Sequence, residues 1–360
     1  MAELTATEVK AEEKKVSPID QILIDAKKQL KPVNIFCELT YRCNLDCVHC
    51  YCVRGANRQE LSVEEWKAFL LHSAEEGALF LGFSGGEILV YKDFFEIYNY
   101  ARSLGFAIKL KTNATLITPE IADKIAAGNP SGIDVSILGG NSQIHDRMTR
   151  VRTSHDKAWE GIRHLRERGL AVRVNTSITQ DNFSTYDNVK SYAKGLGCST
   201  NCDVNIHVKN DGDETVQNYT MNEDGFKKFT NKMPIQALGP KNMKNPERQL
   251  MCNAGRGHFS INPYGDITTC NPMLLPLGNV RTDKWADVRR SELLKKIVGL
   301  TLQDLPECRD CEYRHFCQRC HATAWQDSGS ITQKSLQACK KAKMLKALYN
   351  DRLAKEAKNG

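Results

Sequence analysis

The chain contains no run of about 18 consecutive apolar residues, which excludes a long membrane-spanning helix. Its opening stretch, MAELTATEVKAEEKKVSPID, alternates charges and has no apolar segment, so it is not a secretory signal. No basic patch interleaved with aromatic residues occurs, and this disfavours a nucleic-acid function. There is no internal repeat and no long low-complexity segment. His72, His164, His207, His258 and His321 form no ligand-like array and read as structural or surface residues. These absences point to the cytoplasm, with no membrane and no nucleic acid as partner. Disulfides are rare there, so the chain's 14 cysteines turn toward metals or catalysis.

What is present is an ordinary globular composition, 41% hydrophobic and 26% charged, with net charge +7. Much of the basic excess lies in KKAKMLKALYNDRLAKEAKNG, which reads as a solvated amphipathic helix, or else as a surface for an acidic partner. Residues 1–16 are expected to be disordered, and Ser17-Pro18 opens a short helix. Strand patterns follow at 33–39, 78–83, 106–111, 132–138, 170–178 and 203–208. Helix patterns separate them, one starting with the capping box of Ser62 and Glu65 and another at Thr118-Pro119. Six strands alternating with helices predict an α/β fold with a parallel sheet. Six units are too few for eight-fold closure, so a partial, open (β/α)6 TIM-like barrel over 33–210 fits. Segment 1–32 is then a tail and helix, 211–251 a linker, 252–345 a second, cysteine-rich domain, and 346–360 a basic helix end.

Cys43, Cys47 and Cys50 form a C-x3-C-x2-C array on the loop after the first strand. Structural zinc prefers four ligands in paired C-x2-C knuckles, so three thiols on one loop make a poor zinc site. A [4Fe–4S] cluster normally takes four cysteines; with three, one iron stays open to a substrate or cofactor.

This array, with Tyr51 directly after its third cysteine, resembles the radical S-adenosylmethionine (SAM) enzymes. The SGGE stretch after the second strand is similar to the GGE motif of that family. The resemblance implies that a [4Fe–4S] cluster on Cys43, Cys47 and Cys50 chelates SAM, with Gly85, Gly86 and Glu87 holding its amino group. Thr112-Asn113 stands where many relatives have Thr-Asn-Gly, Ala114 replacing the glycine. Ser136 and Arg150, chosen over Arg147, are expected to contact the ribose and carboxylate. An electron passed to the sulfonium would then release a 5′-deoxyadenosyl radical that abstracts hydrogen from an unactivated C–H bond.

The later cysteines, Cys252, Cys270, Cys308, Cys311, Cys317, Cys320 and Cys339, resemble in order the SPASM domain, which carries auxiliary iron–sulfur clusters. The inner spacing is one residue short before Cys320. By resemblance, Cys308, Cys311, Cys317 and Cys339 hold an outer cluster and Cys252, Cys270 and Cys320 an inner one, both expected to be [4Fe–4S]. The inner set lacks a fourth member. Cys198 and Cys202 are candidates for that ligand or for a catalytic thiol, Cys37 reads as core, and Cys52 as a bystander.

Most relatives of this type modify peptides or proteins. The expected function is therefore hydrogen abstraction from a residue of a ribosomal peptide precursor, leading to a cross-link, epimerisation or backbone excision. The alternatives are an enzyme acting on a small molecule such as a haem-pathway intermediate, a sulfatase-maturase-like protein oxidase, and a non-catalytic zinc or iron–sulfur protein. Expected partners are the precursor and an electron donor such as flavodoxin or ferredoxin. A separate peptide-recognition protein is also expected, because the 32 residues before the first strand fall short of the roughly 50 a domain needs.

Overall fold

The Ser17 hydroxyl accepts the N–H of Asp20 and caps α1 (Pro18–Lys28), with Pro18 in the first turn, where its missing N–H costs nothing. The computed structural model describes residues 17–55, 57–240, 252 and 254–359. The tail 1–16 and the stretch 241–251 of the expected linker lie outside the described residues.

After α1 the chain alternates as the apolar pattern requires. The order is β1 (Asn34–Thr40), α2 (Val63–Glu75), β2 (Phe80–Gly85), α3 (Phe94–Ser103), β3 (Ala107–Thr112), α4 (Pro119–Ala127) and β4 (Gly132–Ser136). Then come α5 (Ser142–Thr149), α6 (Ser154–Glu167), β5 (Val172–Ser177), α7 (Tyr186–Gly195) and β6 (Ser199–Asp203). The capping box on α2 forms as expected, Ser62 and Glu65 bonding each other's backbone N–H. Thr118 likewise caps α4.

Each strand pairs in parallel with the next, from β1 through β6. Side chains alternate across the sheet. Ile35, Cys37 and Leu39 of β1, Leu81 and Phe83 of β2, and Ile108 and Leu110 of β3 are buried in the main core. The other face is polar, and the register sets Lys111, Asp134 and Arg173 side by side on three neighbouring strands. Arg173 grips Asp134 through two hydrogen bonds of 2.9 and 2.7 Å, whereas Lys111 lies 4.5 Å from the Phe36 ring and makes no ion pair among the described residues. Gly82 leaves room for that ring, since a Cβ there would meet it at 2.7 Å.

The sixth strand departs from expectation. It pairs over Ser199–Asp203 rather than 203–208. Ile206 and Val208 are buried, so the apolar run there reports burial and not ladder pairing. The true strand is a half-exposed edge strand, STNCD, with no apolar alternation to read. Helix α5 was also not anticipated.

Beyond the barrel come α8 (Glu223–Thr230) and α9 (Ile235–Leu238), followed by β7 (His258–Ile261), β8 (Asp266–Thr268) and β9 (Gly278–Asn279). β7 pairs in parallel with the free side of β1, and β8 and β9 continue from it antiparallel. One sheet therefore runs β6-β5-β4-β3-β2-β1-β7-β8-β9. The chain ends in α10 (Trp285–Arg290), α11 (Glu292–Gly299), α12 (Pro306–Arg309), α13 (His321–Ser328) and α14 (Leu336–Asn359). No helix among the described residues is long and apolar enough to cross a membrane.

Trp285 locks the C-terminal region to the barrel. It is 1% exposed, packs on Phe69 of α2 and Phe259 of β7, and its indole N–H donates to the Ser73 hydroxyl at 3.0 Å. Trp285→Ala is expected to cost about 3–5 kcal/mol, through the lost packing and the cavity left behind. Chemical denaturation followed by circular dichroism measures this.

Candidate functional site

β1 ends at Thr40 and hands the chain directly to the loop that carries Cys43, Cys47 and Cys50. The loop is pinned from two sides. On one side, the N–H groups of Asp46 and Val48 donate to the carbonyls of Thr149 and Met148 at the end of α5, at 3.0 and 2.9 Å. Arg150, left-handed at φ 57°, donates to Asp46 at 3.1 Å. The expected SAM contact Arg150 is thus engaged by the cysteine loop itself.

On the other side lies SGGE. The Gly86 N–H donates to the Thr40 carbonyl at 2.7 Å and the Glu87 N–H to the Arg42 carbonyl at 3.0 Å. A Cβ on Gly85 would stand 2.3 Å from the Thr40 oxygen, and one on Gly86 2.2 Å from the Arg42 oxygen. Backbone against backbone leaves no room to yield, so both glycines are demanded by the chain's own loop, whatever else they touch. Glu87 is 1% exposed and accepts from the Thr112 hydroxyl at 2.6 Å and the Asn113 N–H at 2.7 Å. Burial pushes its carboxyl above the ordinary range, and those two bonds oppose the push. Asn113 reaches back with its amide to Asn44 at 2.9 Å and to the Cys43 sulfur at 3.8 Å. Ala114, where relatives have glycine, takes the left-handed conformation at φ 61°, a position glycine would fill without strain.

The three thiols are neighbours. Burial raises Cys47 first, and thiolates at Cys50 and Cys43 would raise it further. The neighbouring Cys50 and Cys52 thiols shift each other in opposite senses, Cys50 downward and Cys52 upward. Cys52 is buried against Tyr41 and Tyr264, and Cys50 packs against the same small cluster. The Leu45 N–H, like the Asn113 amide, donates to the Cys43 sulfur, at 3.4 Å. Sulfurs that accept hydrogen bonds suit thiolate ligands, and the residues present fit an iron–sulfur cluster.

One acidic residue escaped the sequence reading. Glu38 in β1 is 2% exposed and accepts hydrogen bonds from the Tyr41 hydroxyl at 3.0 Å and from the Tyr51 hydroxyl. Its signal was a single carboxylate inside an otherwise apolar strand, VNIFCEL. Tyr51, expected beside SAM, is thereby tied to β1. Glu38 also lines a cavity of about 240 Å³ between the cysteine loop and the β7–β8 hairpin, together with Asn210, Asp211, Ser260, Asn262 and Asn271. A second cavity of about 460 Å³ borders Cys47, Cys50 and Cys52, with Arg54, Arg150 and Lys209 on its walls.

Ser136 lies exposed at the end of β4. Cys198 is part of the main core and Cys202 packs against it, the latter also touching Tyr186 of α7. Cys37 is fully buried in the same core, as expected. In the C-terminal region, Cys270 neighbours Cys320 and Cys252, while Cys317 neighbours Cys339, Cys308 and Cys311. The Ala254 N–H donates to the Cys252 sulfur at 3.3 Å. Among the described residues, no three His, Cys, Asp or Glu side chains converge as donors to one ion.

Comparison with known proteins agrees with this arrangement. The radical SAM superfamily model matches residues 37–190, and the SPASM iron–sulfur cluster-binding domain matches 252–321. An AdoMet-dependent heme synthase of Methanosarcina barkeri is 28% identical, covering 82% of this chain and 93% of its own. The mycofactocin maturase MftC of Mycobacterium tuberculosis is 28% identical over 71% of this chain and 68% of its own. Among solved structures, Streptococcus suis SuiB bound to S-adenosylmethionine superposes with TM-score 0.64 at 17% identity, over 88% of this chain and 80% of that one. The AdoMet complex of anSMEcpe gives 0.68 at 16% identity, over 91% and 100%. With both domain models matched in order and the three-cysteine loop and GGE joined at the end of β1, this chain belongs to the radical SAM superfamily, as an enzyme carrying a C-terminal SPASM domain.

Proposed function

We infer that this enzyme modifies a peptide, abstracting hydrogen from a residue of a ribosomally made precursor. The observation that carries the reading is the cavity beside the cysteine loop. Its wall sets amides and a hydroxyl, Asn210, Asn262, Asn271 and Ser260, which can pair with peptide N–H and C=O, among apolar side chains such as Tyr264, Met273 and Leu274, which suit a peptide side chain. The names of two relatives support the reading, a mycofactocin maturase and a PqqA peptide cyclase.

Cys43, Cys47 and Cys50 would hold the cluster, and Cys308, Cys311, Cys317, Cys339, Cys252, Cys270 and Cys320 two auxiliary ones. Bound there, the cluster and SAM supply a radical able to take hydrogen from an unactivated C–H bond. The chain itself supplies position. Gly85 and Gly86 hold the loop against β2, Asn113 and Leu45 donate to the Cys43 sulfur, and Arg150 fixes the loop's far side. The β7–β8 hairpin forms one wall of the cavity, through Ser260, Asn262 and Tyr264.

A second reading, action on a porphyrin, is favoured by the 28% identity to a heme synthase along most of both chains. The test is 5′-deoxyadenosine release from SAM by anaerobically reconstituted protein under dithionite. A precursor peptide encoded beside the gene should raise it at least tenfold, with a mass change in the peptide. Stimulation by Fe-coproporphyrin III and not by the peptide would overturn the peptide reading.

A further inference from the structure

Arg319 occupies the two-residue gap between Cys317 and Cys320, and its side chain is 5% exposed. Its guanidinium donates to the carbonyl of Ile331 at 2.6 Å and, through Nε, to that of Gln333 at 3.2 Å. It also lies 3.0 Å from Nδ1 of His321. Among the described residues it forms no ion pair with a carboxylate, whereas the exposed arginines of this chain commonly do. Carbonyl dipoles satisfy its N–H groups but bring no net charge. A buried cation without an anion is strongly disfavoured. The groups around it that can carry negative charge are thiols: Cys308, Cys320 and Cys317. Cys308 neighbours Cys339 and Cys311, while Cys320 sits with Cys270 and Cys252. One guanidinium thus stands between two groups of cysteines, and its countercharge exists only when those sulfurs are thiolates.

We propose that Arg319 is the shared counter-cation of the two auxiliary iron–sulfur sites and holds the reduction potentials of both upward. One-electron reduction adds a unit of negative charge at a site, with the electron drawn from an external reductant and no proton required. A fixed positive charge stabilises the more negative state more than the less negative one, and net charge around a cluster is among the factors that set its potential. Arg319 is a positioning and tuning residue here, since it touches the ligands and not the substrate. The inference rests on the two-cluster reading of the C-terminal cysteines.

The experiment uses the full-length chain with Cys43, Cys47 and Cys50 replaced by alanine, reconstituted anaerobically so that only auxiliary signals remain. Iron and sulfide are counted first. Midpoints are then read by electron paramagnetic resonance during dithionite titration. Arg319→Gln should lower both midpoints, each reduction equilibrium falling at least tenfold, which for one electron is about 59 mV. Arg319→Lys should stay within about threefold of the parent, because the charge is kept. Loss of iron in the glutamine variant but not in the lysine variant also supports the proposal. Unchanged midpoints in a fully loaded Arg319→Gln protein overturn it, as does equal iron loss in both variants, which would mean a packing role. A parent protein holding iron for a single auxiliary cluster overturns the shared role at its premise, and the iron count distinguishes that failure from the others.

Discussion

Replacing Cys43, Cys47 and Cys50 together by alanine will abolish 5′-deoxyadenosine release from SAM, to at least a thousandfold below the parent, while leaving the fold of the metal-free protein intact. The two halves of this expectation have separate causes. Each thiolate is a ligand with no substitute on the loop, and about four irons per chain should be lost with them. The loop, however, does not depend on its sulfurs for its shape. Its backbone is bonded to the end of α5 through Asp46 and Val48, and SGGE is bonded to its first residues. Arg54 adds a bond to the Leu45 carbonyl and Arg150 one to Asp46. The unfolding free energy of the metal-free variant should therefore stay within about 1 kcal/mol of the metal-free parent, the ordinary size of a small substitution. Chromatographic assay of deoxyadenosine, iron analysis and a melting curve check the three statements.

Glu38→Ala will destabilise the protein by about 3 kcal/mol, since it strips two buried tyrosine hydroxyls of their acceptor. Glu38→Gln should cost far less, because an amide keeps the shape and one acceptor. The pH profile separates charge from packing. Burial raises the Glu38 carboxyl above its ordinary 4.5, with Tyr51 and Tyr41 opposing the rise. The folded state then binds this proton more tightly than the unfolded one. Its contribution to stability is fully present below about pH 4.5 and is lost as pH climbs to the raised folded value. In Glu38→Gln that slope should vanish, so the stability difference between parent and variant changes with pH over this window. Urea denaturation at several pH values measures it; parallel profiles would contradict the assignment.

What could be read in advance was local. Ser62 with Glu65 and Thr118 before Pro119 state their purpose within a few residues, and both caps form as expected; the C-x3-C-x2-C spacing is equally local, and its three cysteines share the loop after β1. The missed features depend on register between distant strands. Lys111, Asp134 and Arg173 are neighbours only because three parallel strands align. Gly85 and Gly86 read as room for a ligand, yet the closest atoms to their missing side chains belong to Thr40 and Arg42. β6 failed for a different reason: an edge strand with polar residues has too little buried surface to leave a pattern. Arg319 had no sequence signature at all, because a charged residue between two cysteines is unremarkable until its burial is known.

The pairing of β7 with β1 has a mechanical meaning. The strand that delivers the cysteine loop is clasped on both sides, by β2 and by a strand contributed more than two hundred residues later. Cutting the chain after the barrel would bare the side of β1 that β7 covers along Asn34–Cys37, an unpaired row of N–H and C=O groups ready to join another molecule. The C-terminal region is therefore no detachable accessory. It is the second jaw of the vice that holds the loop still, and a chain trimmed to its barrel would be a sticky fragment rather than a smaller enzyme.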